Sequence, residues 1–249
     1  MKYVGINEAI SADGLRIVIV KAMPSAWGIA AKAMAEFKSL DFLCAHQIPM
    51  SDNPELKAWA GTNSATVVAW NDEPPLNRWN DILLLLERLA PEPRLVPENP
   101  AERIAVFGIG HEICGELGFG WNRRIDLMRP APGEAPGPFA QKYHYREDEA
   151  AQANARVIAL MKELAARLKR QQDSGSEYLV GSTVTAADFY WATFSNFVAL
   201  QPQELCPINP QARPMFERTP PEITAAIDPI LIEHRDRMMQ RYFKLPLEL

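Results

Sequence analysis

Short apolar segments alternate with helical patterns along the first part of the chain. Residues 15–20 are rich in β-branched side chains, which predicts a buried strand. Apolar residues recur at helical spacing after Ser25, so this serine is expected at the N-cap or in the first turn of a helix. Residues 41–48 predict a second strand, and residues 53–60 predict a short helix.

A hairpin and one more helix complete this part. Residues 65–70 have the composition of a strand, and a turn-forming cluster at 71–75 leads to a brief strand near Leu76. Residues 79–89 place isoleucine and leucine side chains on one face of a helix. The predicted order of elements is therefore βαβαββα.

A proline-rich segment divides the chain. Residues 90–100 contain four prolines and predict a stiff, extended connector. We therefore expect one domain over residues 1–89 with a short N-terminal extension, a linker over 90–100, and a second domain over 101–249.

Helical periodicity dominates the second part. A helix over about 101–117 contains several glycines, each costing about 1 kcal/mol relative to alanine, so close packing or a bend must compensate. Residues 130–138 are rich in proline and glycine and predict a surface loop. Residues 147–172 form the clearest helix, and a last helix over 222–242 should be bent or divided by Pro229.

Composition and charge exclude several classes of function. The chain has 249 residues, 47% of them apolar, and a formal net charge of −5, so no general positive field attracts nucleic acid or an anionic membrane. No apolar run approaches the roughly 20 residues of a membrane-spanning helix. The N-terminus does not look like a secretory signal, so we expect a cytoplasmic protein. The three cysteines are too widely spaced for a redox-active pair or a zinc site. Their spacing therefore favours buried, reduced thiols, and no metal site is expected.

Two local sequences carry a resemblance to a known family. Residues 95–103 read Leu-Val-Pro-Glu-Asn-Pro-Ala-Glu-Arg, and residues 178–188 end with Thr185 and Asp188 at the spacing of a helix capping box. With the order of elements, they resemble the cytosolic glutathione S-transferase family over most of the chain. The resemblance implies an α/β N-terminal thioredoxin-like domain plus an all-α C-terminal domain. Both sequences concern folding rather than substrate.

The resemblance implies a catalytic serine. In this family a Tyr, Ser or Cys near the end of the first strand donates a hydrogen bond to the sulfur of glutathione, and Ser25 is at the matching position. Its hydroxyl at a helix N-terminus can donate to a thiolate and lower the pKa of the thiol. The alternative is that Ser25 only caps the helix.

Two further family features are altered here. A cis-proline normally precedes the third strand, but residues 64–68 contain no proline and Thr66 or Val67 takes its place. Because a cis bond without proline costs about 2.5–4 kcal/mol, we expect a trans peptide there unless the fold enforces the cis form. Arg78 and Trp79 replace the usual Glu/Gln-Ser pair that binds the γ-glutamyl group. The resemblance thus assigns glutathione binding to Trp27, Thr66, Val67, Arg78, Trp79 and Asn80, with Asn77 and Asp81 as neighbouring polar groups.

The family places a second, substrate-facing pocket between the domains. By position its lining residues are Phe107, His111, Trp121 and Tyr143, with Cys114 and Phe119 as further candidates; core packing is the alternative for each. Arg123 and Arg124 can pair with a ligand carboxylate, although solvated charges are the favoured interpretation. His111 and Glu112 are adjacent on a helix and point to different faces, so no metal site is expected.

These residues support functions from two classes. The first is an enzyme that holds glutathione as a thiolate for attack on a hydrophobic electrophile, as a homodimer. The second is a non-catalytic transferase-fold module for interaction or dimerisation, which the missing motifs favour. A third possibility is another small thiol or acid ligand, with Arg78 as the anion contact.

Overall fold

The structure is a computed structural model that describes residues 1–131 and 133–249. Pro132, part of the predicted loop at 130–138, lies outside the described residues. The first part of the chain forms a four-stranded mixed sheet with helices on its faces. Its elements are β1 (Lys2–Tyr3), α1 (Ile6–Ser11), β2 (Leu15–Val20), α2 (Ala26–Phe37), β3 (Phe42–Gln47), α3 (Pro54–Ala60), β4 (Val67–Trp70) and α4 (Trp79–Leu89).

The strand order is β1-β3-β2-β4. Strands β2 and β3 run parallel, with Leu15 opposite Phe42, and β4 pairs antiparallel with β2. The last strand of the predicted hairpin is reduced to a single bridge between Val68 and Leu76. The predicted thioredoxin-like arrangement is confirmed, and the structure adds β1 and α1, which are too short to show a clear period in the sequence.

Alternating side chains of β2 supply two hydrophobic cores. Ile17 and Ile19 face the large core that includes α2 and α4, whereas Val18 faces a smaller cluster with Leu56 of α3. This alternation follows from the two-residue period of a strand. It fixes α2, and with it Ser25, against one face of the sheet.

A buried ion pair holds the connector after α4. Residues 90–99 contain neither helix nor strand. The Nζ of Lys38, at the end of α2, lies 2.6 Å from the carboxylate of Glu87 and donates to the carbonyls of Ala90 and Pro93, both at 2.7 Å. The Glu87 carboxylate also accepts the N–H of Leu95 at 3.0 Å. The Lys38–Glu87 ion pair and its hydrogen bonds, and not the stiffness of the prolines alone, therefore fix the path of the connector.

The rest of the described chain is helical. Its elements are α5 (Pro100–Cys114), α6 (Phe119–Leu127), α7 (Pro138–Lys142), α8 (Glu147–Asp173), α9 (Ala186–Phe194), a 3-10 turn (Ser195–Phe197), α10 (Arg213–Glu217), α11 (Pro221–Ala225) and α12 (Pro229–Tyr242). The helix expected to run to about residue 117 ends at Cys114, and α6 follows it without having been predicted. Pro229 begins α12, so the predicted last helix is divided, because proline is tolerated in the first turn of a helix.

The capping box predicted at Thr185 and Asp188 is present at the start of α9. The Asp188 carboxylate accepts the N–H of Thr185 at 2.8 Å, the hydroxyl of Thr185 at 2.9 Å and the N–H of Leu179 at 2.8 Å. Its other near neighbour is Nε2 of His234, at 3.2 Å, and both side chains are fully buried. The sequence motif thus anchors α9 and α12 in the helical core. No helix among the described residues combines the length and apolar character needed to cross a bilayer.

Candidate functional site

Ser25 stands at the junction of strand β2 and helix α2. Its carbonyl accepts the N–H of Ile29 at 3.0 Å and its own N–H donates to the carbonyl of Met23 at 2.8 Å, which fixes the turn. Although Ser25 occupies the N-cap position, its side chain makes no capping hydrogen bond. The hydroxyl therefore stays available to a ligand at the positive end of a 12-residue helix.

Ser25 lines a cavity of about 320 Å³ between the two parts of the chain, which we call the thiol cavity. The sheet side of this cavity consists of the ends of β2 and β3, the loops that follow them, and the segment before β4, namely Val20, Met23, Pro24, Ser25, Gln47, Pro49, Met50 and Ala65. Its helical side consists of Arg124, Leu127, Phe139, Lys142, Tyr143, Phe197, Met215 and Phe216. Most of these side chains are apolar, so the cavity suits a hydrophobic ligand with few polar groups.

The peptide bond between Ala65 and Thr66 is cis, which corrects the expectation of a trans bond. The exception allowed for, a fold that enforces the cis form, applies here, since Thr66 is buried, 7% exposed, where the chain enters β4. A Cβ on Gly28 would lie 3.2 Å from the Thr66 hydroxyl oxygen, so α2 packs closely onto this bend. Tertiary packing therefore sets the backbone here. The buried hydroxyl of Thr66 has no hydrogen-bond partner within the described chain.

Thr66 lines a second recess of about 160 Å³, which we call the middle cavity. This cavity shares Ala65 and Arg124 with the thiol cavity, so the two are adjacent. It also shares Asn77 and Trp79 with an open cleft of about 660 Å³ around the start of α4, which we call the outer cleft. The three recesses therefore lie side by side from Ser25 past Thr66 to the N-terminus of α4, and we call this row of recesses the route.

The outer cleft brings together several predicted residues. Arg78 is the N-cap of α4 without a capping side-chain bond, and Trp79 packs edge-on against Tyr190 with ring centroids 5.5 Å apart. The Asn80 amide donates to Asp81 at 3.1 Å. Predicted pocket residues Phe107 and His111 also line this cleft, which separates them from Ser25. The described side chains thus place Arg78, Trp79, Asn80, Phe107 and His111 in one cleft.

Trp27 joins α2 to the helical half. Its indole N–H donates to the carbonyl of Cys114 at 2.9 Å, and its ring packs edge-on against Phe194 with centroids 4.6 Å apart. A Cβ on Gly120 would lie 2.3 Å from Phe194 and 2.9 Å from Trp27, so only glycine lets α6 approach these rings. One turn further along α6, Arg124 reaches the Trp27 ring, its guanidinium carbon 4.4 Å from the centroid.

Neither Arg123 nor Arg124 is a solvated charge, which corrects that interpretation. Arg123 is fully buried, pairs with Asp126 at 2.7 Å and donates to the carbonyl of Phe197 at 2.9 Å. Arg124 lies among Trp27, Trp121 and Tyr143 and lines both the thiol cavity and the middle cavity. Burial lowers the pKa of each guanidinium. Both arginines are enclosed because α6 packs against Trp27 on one side and against α8 on another. The mixed polar and apolar sequence of α6 does not indicate this position.

The other predicted residues divide between cavity and core. Tyr143 lines the thiol cavity, whereas Trp121 packs behind it, with ring centroids 6.3 Å apart. Val67 is fully buried in the small core on the opposite face of the sheet, so its side chain does not reach the route. Phe119 is fully buried against Trp191.

All three cysteines are free and buried. Burial raises the pKa of Cys44 to about 11, and it raises the pKa of Cys114 well above the ordinary value. Thiols of this kind stay protonated at neutral pH and are poor nucleophiles. None of the three cysteines is among the described residues that line the thiol cavity, whereas Ser25 is.

Sequence reasoning missed much of the helical side of the thiol cavity. Lys142, Phe139, Met215 and Phe216 reach the cavity from α7 and α10, helices of five residues each that leave almost no periodic signal. For Arg124 the sequence favours a solvated charge over a partner for a ligand carboxylate, and it does not predict the aromatic residues around the guanidinium. The aromatic content of the surrounding segments is the sequence feature that could have indicated an enclosed position for Arg124.

Comparisons by sequence find nothing: no protein-family model matches the chain, and no curated protein matches it. Solved structures do match in fold. A glutathione S-transferase of Methylobacterium radiotolerans, solved with glutathione sulfonate, has a TM-score of 0.61 at 16% identity, covering 91% of each chain. One from Methylobacillus flagellatus with bound glutathione gives 0.64 at 14% identity, covering 92% of this chain and 96% of that one. Ure2p in complex with glutathione gives 0.63 at 12%, covering 92% and 95%.

Proposed function

We propose that this chain, which has the glutathione S-transferase fold, binds glutathione along the route from Ser25 to α4 and activates its thiol. The second reactant is a hydrophobic electrophile in the thiol cavity. The observation that carries the proposal is the Ser25 hydroxyl, which makes no capping bond, stands at the N-terminus of α2 and lines an apolar cavity.

The site residues suit a thiolate. The Ser25 O–H can donate to the sulfur, and the N-terminal end of α2 favours negative charge nearby. The thiol proton leaves to water, and the sulfur electron pair then forms a bond to an electrophilic carbon. When that carbon carries a leaving group, the group departs with the electrons of its own bond.

The remainder of the tripeptide fits the other two recesses. The orphaned hydroxyl of Thr66 is a hydrogen-bonding group for the cysteinyl part in the middle cavity. The uncapped N-terminus of α4 provides N–H groups for the γ-glutamyl carboxylate, and Asn77 and Asn80 stand beside it. Arg78 and Trp79 therefore line the γ-glutamyl end in place of the usual Glu/Gln-Ser pair. A homodimer, the assembly implied by the family resemblance, is part of the proposal.

The second candidate is a non-catalytic interaction module. Its support is the environment of Trp79, whose ring packs against Tyr190 and fills the space that a side chain at Gly110 would need. This arrangement makes the start of α4 a packing element. A module of this kind would keep the fold and neither bind nor consume glutathione.

Substitution of Ser25 by alanine separates the two candidates. We expect the purified protein to consume glutathione with a reactive benzyl halide, and Ser25→Ala to lower turnover about 10²-fold, the low end for loss of one donor to a developing anion. Calorimetry on both proteins reports binding separately from turnover. The matched control is Ser174→Ala, an exposed serine whose hydroxyl donates to the carbonyl of Gln171 at 2.8 Å.

Two results would contradict the proposal, the first for the role of Ser25 and the second for the enzyme as a whole. Equal turnover in the wild type and Ser25→Ala would remove the serine from the mechanism. No heat of glutathione binding at millimolar concentration, together with no turnover, would leave the non-catalytic module as the function.

A further inference from the structure

Arg124 is a cation between the thiol cavity and the middle cavity, and no carboxylate of the described residues pairs with it. Its guanidinium carbon lies 4.4 Å from the Trp27 ring centroid, 4.6 Å from that of Tyr143 and 5.6 Å from that of Trp121. Within residues 1–131 and 133–249 the Arg124 guanidinium has neither an ion pair nor a hydrogen bond, unlike that of its neighbour Arg123, which pairs with Asp126. Aromatic faces hold the guanidinium in place and leave its N–H groups unused.

The charge of the thiol cavity is opposite to that of the whole chain. Its lining includes two cations, Arg124 and Lys142, and among the described residues it includes no aspartate or glutamate. The middle cavity, which Arg124 also lines, has no acidic lining residue in the described chain either. The protein carries a net charge of −5, so a cavity lined by cations without acids is not a reflection of composition.

A half-buried guanidinium gains more from an anionic partner than a fully hydrated one would. Desolvation lowers the pKa of Arg124, with Tyr143 opposing the shift, but arginine remains protonated at neutral pH. A planar anion in the cavity would supply the missing partner, because the guanidinium fork matches a carboxylate with two parallel hydrogen bonds. The apolar walls would bury the remainder of such a molecule.

We propose that the second reactant is an apolar organic anion whose carboxylate pairs with Arg124 while its electrophilic carbon faces Ser25. This inference rests on the proposed function for its chemistry, although the anion site itself does not require turnover. Arg124 reaches the thiol cavity from its helical side and also lines the middle cavity, so it lies between the proposed electrophile and the cysteinyl part of glutathione. Arg124 thus acts as a specificity residue for the partner of glutathione.

A matched pair of electrophiles tests the proposal. The probes are 4-(chloromethyl)benzoate and its methyl ester, in which the same C–Cl bond breaks and the same S–C bond forms, with chloride as the leaving group. Each kcat/KM is divided by the uncatalysed rate with glutathione, which removes intrinsic reactivity. We expect the wild type to favour the carboxylate at least about tenfold, the range of a hydrogen bond to a charged group.

Variants of Arg124 test whether this residue causes the preference for the carboxylate. Arg124→Met should reduce the carboxylate-to-ester ratio to about one, and Arg124→Lys should retain part of it because the charge remains. Arg170→Met removes the same charge from an exposed site paired with Glu163 and should leave the ratio at the wild-type value. A wild-type ratio of one overturns the proposal without any variant. An Arg124→Met protein that keeps the ratio but shows a raised KM for glutathione overturns it as well, and assigns Arg124 to the tripeptide.

A binding assay distinguishes failure of this inference from failure of the proposed function. Unreactive 4-methylbenzoate and its methyl ester are titrated without glutathione, and the fluorescence of Trp27 and Trp121, which flank Arg124, reports occupancy. Tighter binding of the acid supports the anion site even if no turnover is found. Equal binding of acid and ester contradicts the site even if the enzyme consumes glutathione.

Discussion

Replacement of Gly120 by alanine tests whether α6 is positioned by close contact with the aromatic rings behind the site. A Cβ at this position would lie 2.3 Å from Cε1 of Phe194 and 2.9 Å from Cη2 of Trp27. Carbon atoms in proteins normally approach to about 3.5–4.0 Å, so the helix or the rings must move by about 1 Å. Both rings are packed edge-on against each other, which leaves little room for that movement.

The magnitude follows from two opposing effects. Overpacking a core costs about 1–3 kcal/mol, and the upper end applies because the blocking atoms belong to large rings. Alanine gains at most about 1 kcal/mol over glycine in a helix. We therefore expect Gly120→Ala to lower the free energy of unfolding by about 2 kcal/mol, which corresponds to about 4–8 °C in Tm for a chain of this size.

Gly108 is the matched control, since it lies within α5 and a Cβ there would meet no atom within 4 Å. Gly108→Ala should raise the free energy of unfolding by about 0.5–1 kcal/mol. Thermal and denaturant unfolding of both variants, followed by circular dichroism, measures the difference. If Gly120→Ala is as stable as the wild type, or if both variants shift in the same direction, the close packing of α6 is refuted.

Two further predictions concern the core and the assembly. Asp188→Ala removes a fully buried acceptor of three hydrogen bonds and leaves His234 without its carboxylate partner. The free energy of unfolding should therefore fall by about 3–5 kcal/mol. A loss below about 1 kcal/mol in denaturant unfolding would contradict this role of Asp188. Sedimentation of the purified chain should show a species of about twice 27.9 kDa, and a monomer at every concentration would contradict the proposed homodimer.

The elements of the thioredoxin-like part could be predicted because their signals are local. The β-branched segment at Leu15–Val20 alternates between two cores, and α4 covers the residues that its apolar face indicates. The spacing of Thr185 and Asp188 defines a cap that any sequence reading can find. Ser25 follows from the same local logic, since it lies where a strand ends and a helix begins.

The remainder of the site depends on contacts between distant residues. Nothing near Arg124 in the sequence indicates that Trp27, almost a hundred positions earlier, will cover it. The backbone at Thr66 depends on packing against Gly28, so a local energy cost gave the wrong isomer. The helices that carry Phe139 and Met215 are too short to register a period. Local sequence patterns therefore predict the elements on the sheet side of the thiol cavity but not those on its helical side.

The central claim is that Ser25 and the N-terminus of α2 stabilise the thiolate of bound glutathione. Ultraviolet absorbance of the thiolate, measured against pH with glutathione at saturation, gives the pKa of the bound thiol directly. In the wild type it should lie at least about one unit below the ordinary thiol value of about 8.5, and in Ser25→Ala it should return toward that value. A bound thiol that titrates at the same pH in both proteins would contradict the claim.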